Sequence, residues 1–240
     1  MRVAVKKLGT GHVNLDQKVY SQLKSMILNQ DLKSGSKIYQ EKLAEDLGIS
    51  RTPLVNALKK LEQEHLIAAI PRKGFYVREF SKDEMIYIFE LREVLEGLAA
   101  RRASLRVSNS QIQKLRNIFT GLKAAEASGN VERYAKEDRR FHHFLIHIGG
   151  DGFFSNMLET YSVISFSYLV KFRGGLVRPP QETLPEHLAI IEAIINKDPE
   201  VAEQVVRLHF KRSREKLIKD FAKESQNDSR VPIVNAATAL

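Results

Sequence analysis

The sequence predicts a mainly α protein in two parts: an N-terminal winged helix-turn-helix with a short β wing, then an all-α bundle of six or seven helices. Three observations predict it. Short helical segments broken by Gly- and Ser-containing turns fill the first 80 residues. Two short apolar stretches there flank Pro71-Arg72-Lys73-Gly74. From Ser81 onward the apolar residues follow long 3.6-residue periods with few breakers.

In the first part, Val19, Leu23, Met26 and Ile27 give Leu15–Gln30 a helical spacing that ends at Ser34-Gly35-Ser36. A short helix is expected over Gln40–Leu47, closed by Gly48. Ser50 or Thr52 can cap the next helix, 53–64, which buries Leu54, Ala57, Leu58 and Leu61. Two short helices joined by a Gly-containing turn make a helix-turn-helix. Val55, Asn56, Lys59, Lys60 and Gln63 then face outward, with Arg51 and Thr52 at the helix N-terminus. Arg suits guanine, Asn suits adenine and Lys suits phosphate. Leu66–Ile70 and Phe75–Arg78 read as strands whose connection carries Arg72, Lys73 and Gly74, a basic tip that suits a phosphate backbone.

Charge agrees with this division. The chain of 240 residues has 38 Lys+Arg, 29 Asp+Glu and a formal net charge of +9, of which residues 1–80 hold +6. A pI near 9.6 implies a polyanionic partner, and double-stranded DNA is the expected one. Hydrophobic residues at 43% exclude wholesale disorder. No run of 18 apolar residues or secretory pattern occurs, so a membrane partner is not expected and cytoplasmic residence is. The absence of Cys excludes thiolate catalysis and Cys-ligated metals, leaving His and carboxylates for any metal site.

The domain boundary is placed near Glu79–Ser81, with a flexible arm over 1–14, a winged helix over 15–79, a helical domain over 80–224 and a loosely ordered tail over 225–240. Helices are expected at 82–104, 109–127, 131–148, 153–172, 182–196 and 199–223. Three of them place a polar residue on the apolar stripe. Asp138 and His142 share the stripe of Phe141, Phe144, Leu145 and Ile148. His187 lies on that of Leu184, Leu188, Ile191 and Ile195, and His209 lies among Ala202, Val205, Val206 and Phe210. A single inward His is most often a satisfied core residue. Three with a carboxylate at i,i+4 are costly to bury unpaired, and one divalent cation would satisfy all four. Imidazole with carboxylate suits zinc first, with nickel, manganese, cobalt or iron as alternatives. His143 and His147 share a solvated face with Lys136 and Arg140, while His12 and His65 lack ligand company.

Arg92 follows the apolar line of Met85, Ile88, Phe89 and Leu95. Its partner is either Glu96, one turn away, or the carboxylate of a bound small molecule. Tyr161, Ser165 and Tyr168 are weaker candidates for lining a pocket, and core packing explains the two Tyr equally well.

Leu43-Ala44, Leu47-Gly48-Ile49-Ser50-Arg51-Thr52-Pro53, Ala57-Leu58, Leu61-Glu62 and Gly74 resemble the GntR family of bacterial transcription regulators over about residues 15–78. That family usually has Arg-Glu at Val55-Asn56 and Gly at His65, which puts the usual operator sequence in question. Asp138-x-x-x-His142, Glu186-His187 and His209 resemble the metal-binding members of its FadR branch, as does the helix around Glu90–Glu96. The resemblance implies a regulator, commonly a repressor. It implies a homodimer on a palindromic operator, with a helical domain that binds metal and a small organic acid and with Arg92 as an effector contact. Two alternatives stay open: a metal-dependent hydrolase using the Asp/His site, which leaves the basic winged helix unexplained, and a regulator whose metal is purely structural.

Overall fold

The computed structural model describes residues 15–228; the arm at 1–14, with His12, and residues 229–240 lie outside the described residues. The chain divides into two compact units, one ending at Glu79 and one beginning at Phe80.

The first unit has the order α1 (Leu15–Leu28), α2 (Gln40–Asp46), α3 (Arg51–Gln63), β1 (Ile67–Ile70) and β2 (Gly74–Val77). Its core is the apolar stripe of α1 (Val19, Leu23, Ile27) against that of α3 (Leu54, Ala57, Leu58, Leu61). β1 and β2 pair antiparallel from Ile67 opposite Val77 to Ile70 opposite Gly74. The Ser34-Gly35-Ser36 turn does more than end a helix. The chain beyond it runs along β2, with Gly35 N–H donating to Val77 O at 2.9 Å and Ile38 N–H to Phe75 O at 2.8 Å. The wing is thereby held to the body of the unit from its second side.

α3 ends in a left-handed cap at a residue that is not glycine. His65 has φ +60, while Leu66 N–H bonds Leu61 O and His65 N–H bonds Glu62 O. This is the Schellman arrangement, in which a Cβ at that position is strained.

The second unit contains α4 (Lys82–Arg106), α5 (Asn109–Ala127), α6 (Val131–Gly149), α7 (Gly152–Arg173), α8 (Pro180–Ile195) and α9 (Pro199–Asp228). Ser81 and Ser108 start α4 and α5 with full capping boxes, closed by Glu84 and Gln111. α9 continues to Asp228, so residues 225–228, expected as loose tail, are helix. The expected stripe of α8 is displaced: Thr183, His187, Ile190, Ile191 and Ile194 are buried, while Leu188 is exposed. His187 keeps its inward place because it belongs to both stripes. Glycine sets the contact of α4 with α6, since a Cβ on Gly149 would lie 1.9 Å from Ala99 O. The two backbones touch there, and Ala99, Ile146 and Leu158 pack around the contact.

Two outcomes follow from these positions. His65→Gly relieves the left-handed strain and raises the stability of the first unit by about 1 kcal/mol, read as stronger amide-exchange protection in α3 and β1. Gly149→Ala forces α4 and α6 apart and lowers the stability of the second unit by about 1–3 kcal/mol, read by urea unfolding.

Candidate functional sites

In the first unit, the outer edge of α3 is charged and open. Arg51, Thr52, Lys59 and Lys60 are exposed, as are Arg72 and Lys73 at the wing tip, and Gly74 is half-buried beside them. Gly74 and Arg72 both have positive φ, +95 and +62, which turns the chain between the strands. The edge is not uniformly free. Asn56 donates from Nδ2 to Asp16 Oδ2 at 2.9 Å. Lys60 donates to Gln17 Oε1 at 3.0 Å and sits 4.0 Å over the Tyr20 ring. Asn56 and Lys60 are thus drawn towards α1, which the sequence spacing did not indicate. Among the described residues Arg51 makes an exposed pair with Glu41 at 3.2 Å, an interaction worth little in water.

In the second unit, α6, α8 and α9 deliver His142, His187 and His209 to one buried point, each with one potential ligand atom within 4.8 Å of the others. The ring centroids stand 5.6 Å (142–187), 5.2 Å (142–209) and 5.0 Å (187–209) apart. In each ring the Nδ1 atom is already engaged on the outer side. His142 Nδ1 meets Glu96 Oε2 at 2.9 Å, His187 Nδ1 meets Tyr134 Oη at 3.3 Å, and His209 Nδ1 meets Glu186 Oε2 at 2.7 Å. All three Nε2 atoms are therefore left for the interior. Outer carboxylates and hydroxyls of this kind fix ring orientation and tautomer around metal ions.

Asp138 lies beside this group, outside the three residues whose ligand atoms all come within 4.8 Å of one another. Its Oδ1 lies 3.1 Å from His187 Nε2, yet that nitrogen makes no hydrogen bond of acceptable geometry.

A small cavity, half open to solvent, adjoins this point. Asp138, His142 and His209 line it, together with Arg92, Arg178, Thr183 and Ser213 among its polar residues. Arg92 is 2% exposed. Of the two partners weighed for it, Glu96 is in place: Nε donates to Glu96 at 2.7 Å and Nη1 to Ser165 at 2.7 Å, while Nη2 is buried with no partner among the described residues. The Phe210 ring lies 4.6 Å from the guanidinium carbon. An unpaired guanidinium nitrogen in a cavity is a waiting anion contact.

Of the other pocket candidates, Ser165 stands behind Arg92 rather than in the cavity, also donating to Ser162 O at 3.0 Å. Tyr161 and Tyr168 do not line it. Tyr168 packs on Phe172 and Phe221 at centroid distances of 4.7 and 6.2 Å. His143 and His147 are exposed, as their solvated face predicts.

Sequence reasoning missed Arg178. It sits in the irregular stretch between α7 and α8, where no periodicity marks a residue as inward. Gly175 brings the stretch in, since a Cβ there would lie 2.9 Å from Ala135 Cβ. Arg178 donates from Nε to Ser213 Oγ at 3.1 Å and grips both oxygens of Glu186. Glu186 also accepts from Arg212 at 2.7 Å. Tyr134 and Thr183, hydrogen-bonded at 2.8 Å, were likewise unmarked; a Tyr on a buried stripe reads as plain core.

The electrostatics suit a cation at the centre. Burial raises the proton affinity of Asp138, but His187, His142 and His209 more than offset it and hold the carboxyl well below the usual range. Burial likewise opposes ionisation of Glu186, and the hydrogen bonds from Arg178, His209 and Arg212 outweigh it. Burial lowers His187, and it pushes His209 down to about 4. Both imidazoles are neutral at pH 7, with lone pairs available.

A basic winged helix-turn-helix unit joined to an all-helical unit defines the class, a DNA-binding transcription regulator with a helical C-terminal domain. Residues 15–77 match the bacterial regulatory proteins of the gntR family, and residues 87–212 match the FCD domain. The chain belongs to the GntR family of transcriptional regulators and carries an FCD domain as its C-terminal part. It is 28% identical over 200 residues to the uncharacterized HTH-type transcriptional regulator YdhC of Bacillus subtilis (strain 168), spanning 82% of this chain and 88% of that protein. It is 29% identical over 154 residues to the HTH-type transcriptional regulator McbR of Escherichia coli (strain K12), spanning 63% of this chain and 70% of that one. The solved structure of E. coli McbR/YncC has a TM-score of 0.73 at 23% identity and covers 88% of this chain and 100% of its own. A putative GntR regulator from Rhodococcus sp. RHA1 has a TM-score of 0.66 at 15% identity, covering 85% and 97%. At these identities the structural likeness shows the fold alone. Among the described residues no helix is long and apolar enough to cross a membrane.

Two measurements probe the site directly. In metal-free protein, unfolding frees His209 to take a proton that the folded state refuses. Stability therefore falls as pH drops from about 6.5, the unfolded imidazole value, to about 4, read as a urea midpoint that decreases with acid. Glu186→Gln removes the charge that meets His209 Nδ1 and lowers the pH at which His209 takes up a proton still further, read by NMR titration of the metal-free protein, with the fold retained in circular dichroism.

Proposed function

We propose that this regulator is a cytoplasmic homodimer that binds a palindromic operator and responds to a small carboxylate metabolite bound beside a divalent metal. The observation that carries this reading is a buried group of three imidazoles with their Nδ1 atoms engaged, two of which, His142 and His209, line the cavity that also holds Arg92 with one buried nitrogen unpaired among the described residues. Asp138, His142, His187 and His209 hold the metal, zinc first among the metals that N/O ligands accept. The metal supplies a Lewis-acidic contact for the acid. Arg92 takes a carboxylate oxygen from the other side, and Ser165 positions Arg92. Tyr161 and Tyr168, outside the cavity, receive no contact with the acid in this arrangement.

On the DNA side, Arg51, Thr52 and Lys59 meet the major groove and its phosphates, while Arg72, Lys73 and Gly74 follow the neighbouring backbone. Asn56 and Lys60 join when they exchange Asp16 and Gln17 for DNA. The protein acts as a repressor, and the acid changes operator affinity by preferring one of two arrangements of the dimer. One relative, RspR of Escherichia coli (strain K12), is named a repressor.

Arg51→Ala lowers operator affinity at least tenfold in an electrophoretic shift assay and leaves metal content unchanged. His187→Ala keeps operator binding and abolishes the response to carboxylates. Thermal shifts with a chelator and candidate acids test the metal's role: an acid that stabilises only the metal-loaded protein supports the direct contact. Equal stabilisation after chelation makes the metal purely structural.

A further inference from the structure

Almost every polar side chain on the cavity wall already has its partner inside the chain. Thr183 Oγ1 is bonded to Tyr134 Oη at 2.8 Å. Ser213 Oγ accepts from Arg178 Nε at 3.1 Å and donates to His209 O at 3.1 Å. Arg178 closes on both oxygens of Glu186 with its two terminal nitrogens, and Nη2 also reaches His209 O at 3.2 Å. Apart from the residues proposed to hold the metal, the wall has one side-chain nitrogen without a partner among the described residues, Arg92 Nη2. Its surroundings are apolar. The ring centres of Phe89, Phe166 and Phe210 stand 5.7, 5.7 and 4.6 Å from the guanidinium carbon. Leu169 near the end of α7, with Leu176 and Val177 in the irregular stretch after it, extends the apolar wall.

One free cationic nitrogen answers one carboxylate. A second carboxylate on the same molecule finds no free donor, and the ionised Asp138 on the wall repels it. Hydroxyl groups are placed no better. Thr183 and Ser213 are engaged, and a hydroxyl set against Phe or Leu gives up its bonds to water without replacing them. A hydrocarbon chain in the same place leaves water and forfeits no hydrogen bond. The smallness of the cavity keeps that chain short.

We propose that the acid this cavity takes is a short monocarboxylate with a hydrocarbon tail, and not a diacid or a polyhydroxy acid. Its carboxylate meets Arg92 Nη2, and its tail lies against Leu169, Leu176 and Val177. This rests on the reading of the cavity as a carboxylate sensor and names the class of acid.

Butyrate, succinate and threonate have the same carbon count and separate the classes in the zinc-loaded full chain. In calorimetry butyrate binds about tenfold or more tightly than either of the others. Arg92→Lys keeps a cation for Glu96, removes the free nitrogen and lowers butyrate affinity about tenfold. Val177→Asn weakens butyrate and narrows its lead over threonate, while the melting temperature by circular dichroism stays near that of the parent. In NMR the butyrate methyl shows NOE contacts to the methyl groups of Leu176 and Val177. Succinate or threonate binding as tightly as butyrate overturns the monocarboxylate class and leaves the carboxylate sensor standing. Butyrate that binds Arg92→Lys as well as the parent overturns the Arg92 contact, and an unchanged ratio of butyrate to threonate in Val177→Asn overturns the placement of the tail. If zinc binds and none of the acids does, the sensor reading falls and the class falls with it.

Discussion

The constraint on which the second unit depends is the burial of three imidazoles at one point. A buried ring nitrogen without a partner costs free energy on the order of a lost hydrogen bond, so each ring has to be answered from outside. Glu96, Tyr134 and Glu186 provide those answers. Each in turn demands its own support, which explains residues that otherwise look misplaced. Arg92 balances Glu96, Thr183 bonds Tyr134, and Arg178 with Arg212 balances Glu186. The polar interior of this helical unit is thus a set of nested shells. Backbone contact at Gly149 and the inward turn at Gly175 bring the supporting elements close enough to form them.

The two units solve different problems with similar means. In the first, an apolar stripe on α1 and α3 leaves the opposite edge of α3 free for charge. The wing is secured by pairing with the chain after Ser34 as well as by its own hairpin. In the second, the apolar stripes carry the functional residues inward. Charge that is useful on a surface for meeting phosphate is useful in a cavity only when it is matched, and the buried arginines show this. Arg178 is satisfied by Glu186 and Ser213, while Arg92 retains one nitrogen that no described residue answers.

Most of the helices, the wing and the inward positions of His142, His187 and His209 were legible in the sequence because they depend on period and spacing. His142, His187 and His209 each fall on an apolar stripe, and a polar residue on such a stripe is visible without coordinates. The displaced stripe of α8 shows the limit. Leu184 and Leu188 are as apolar as Ile190 and Ile194, so composition alone does not decide which edge turns inward. Arg178 was illegible for a different reason: it lies in a stretch without period, and its place is decided by a close approach to Ala135 far away in sequence. The same holds for the partners of Asn56 and Lys60, which come from α1 some forty residues earlier.

Glu96 accepts from Arg92 with one oxygen and meets His142 with the other. A charge that arrives at the guanidinium draws on the same carboxylate that steadies the ring. Neither side of the cavity can change its electrostatic state privately. Through this one shared carboxylate, Arg92 and His142 are electrostatically a single unit, although they stand on different helices.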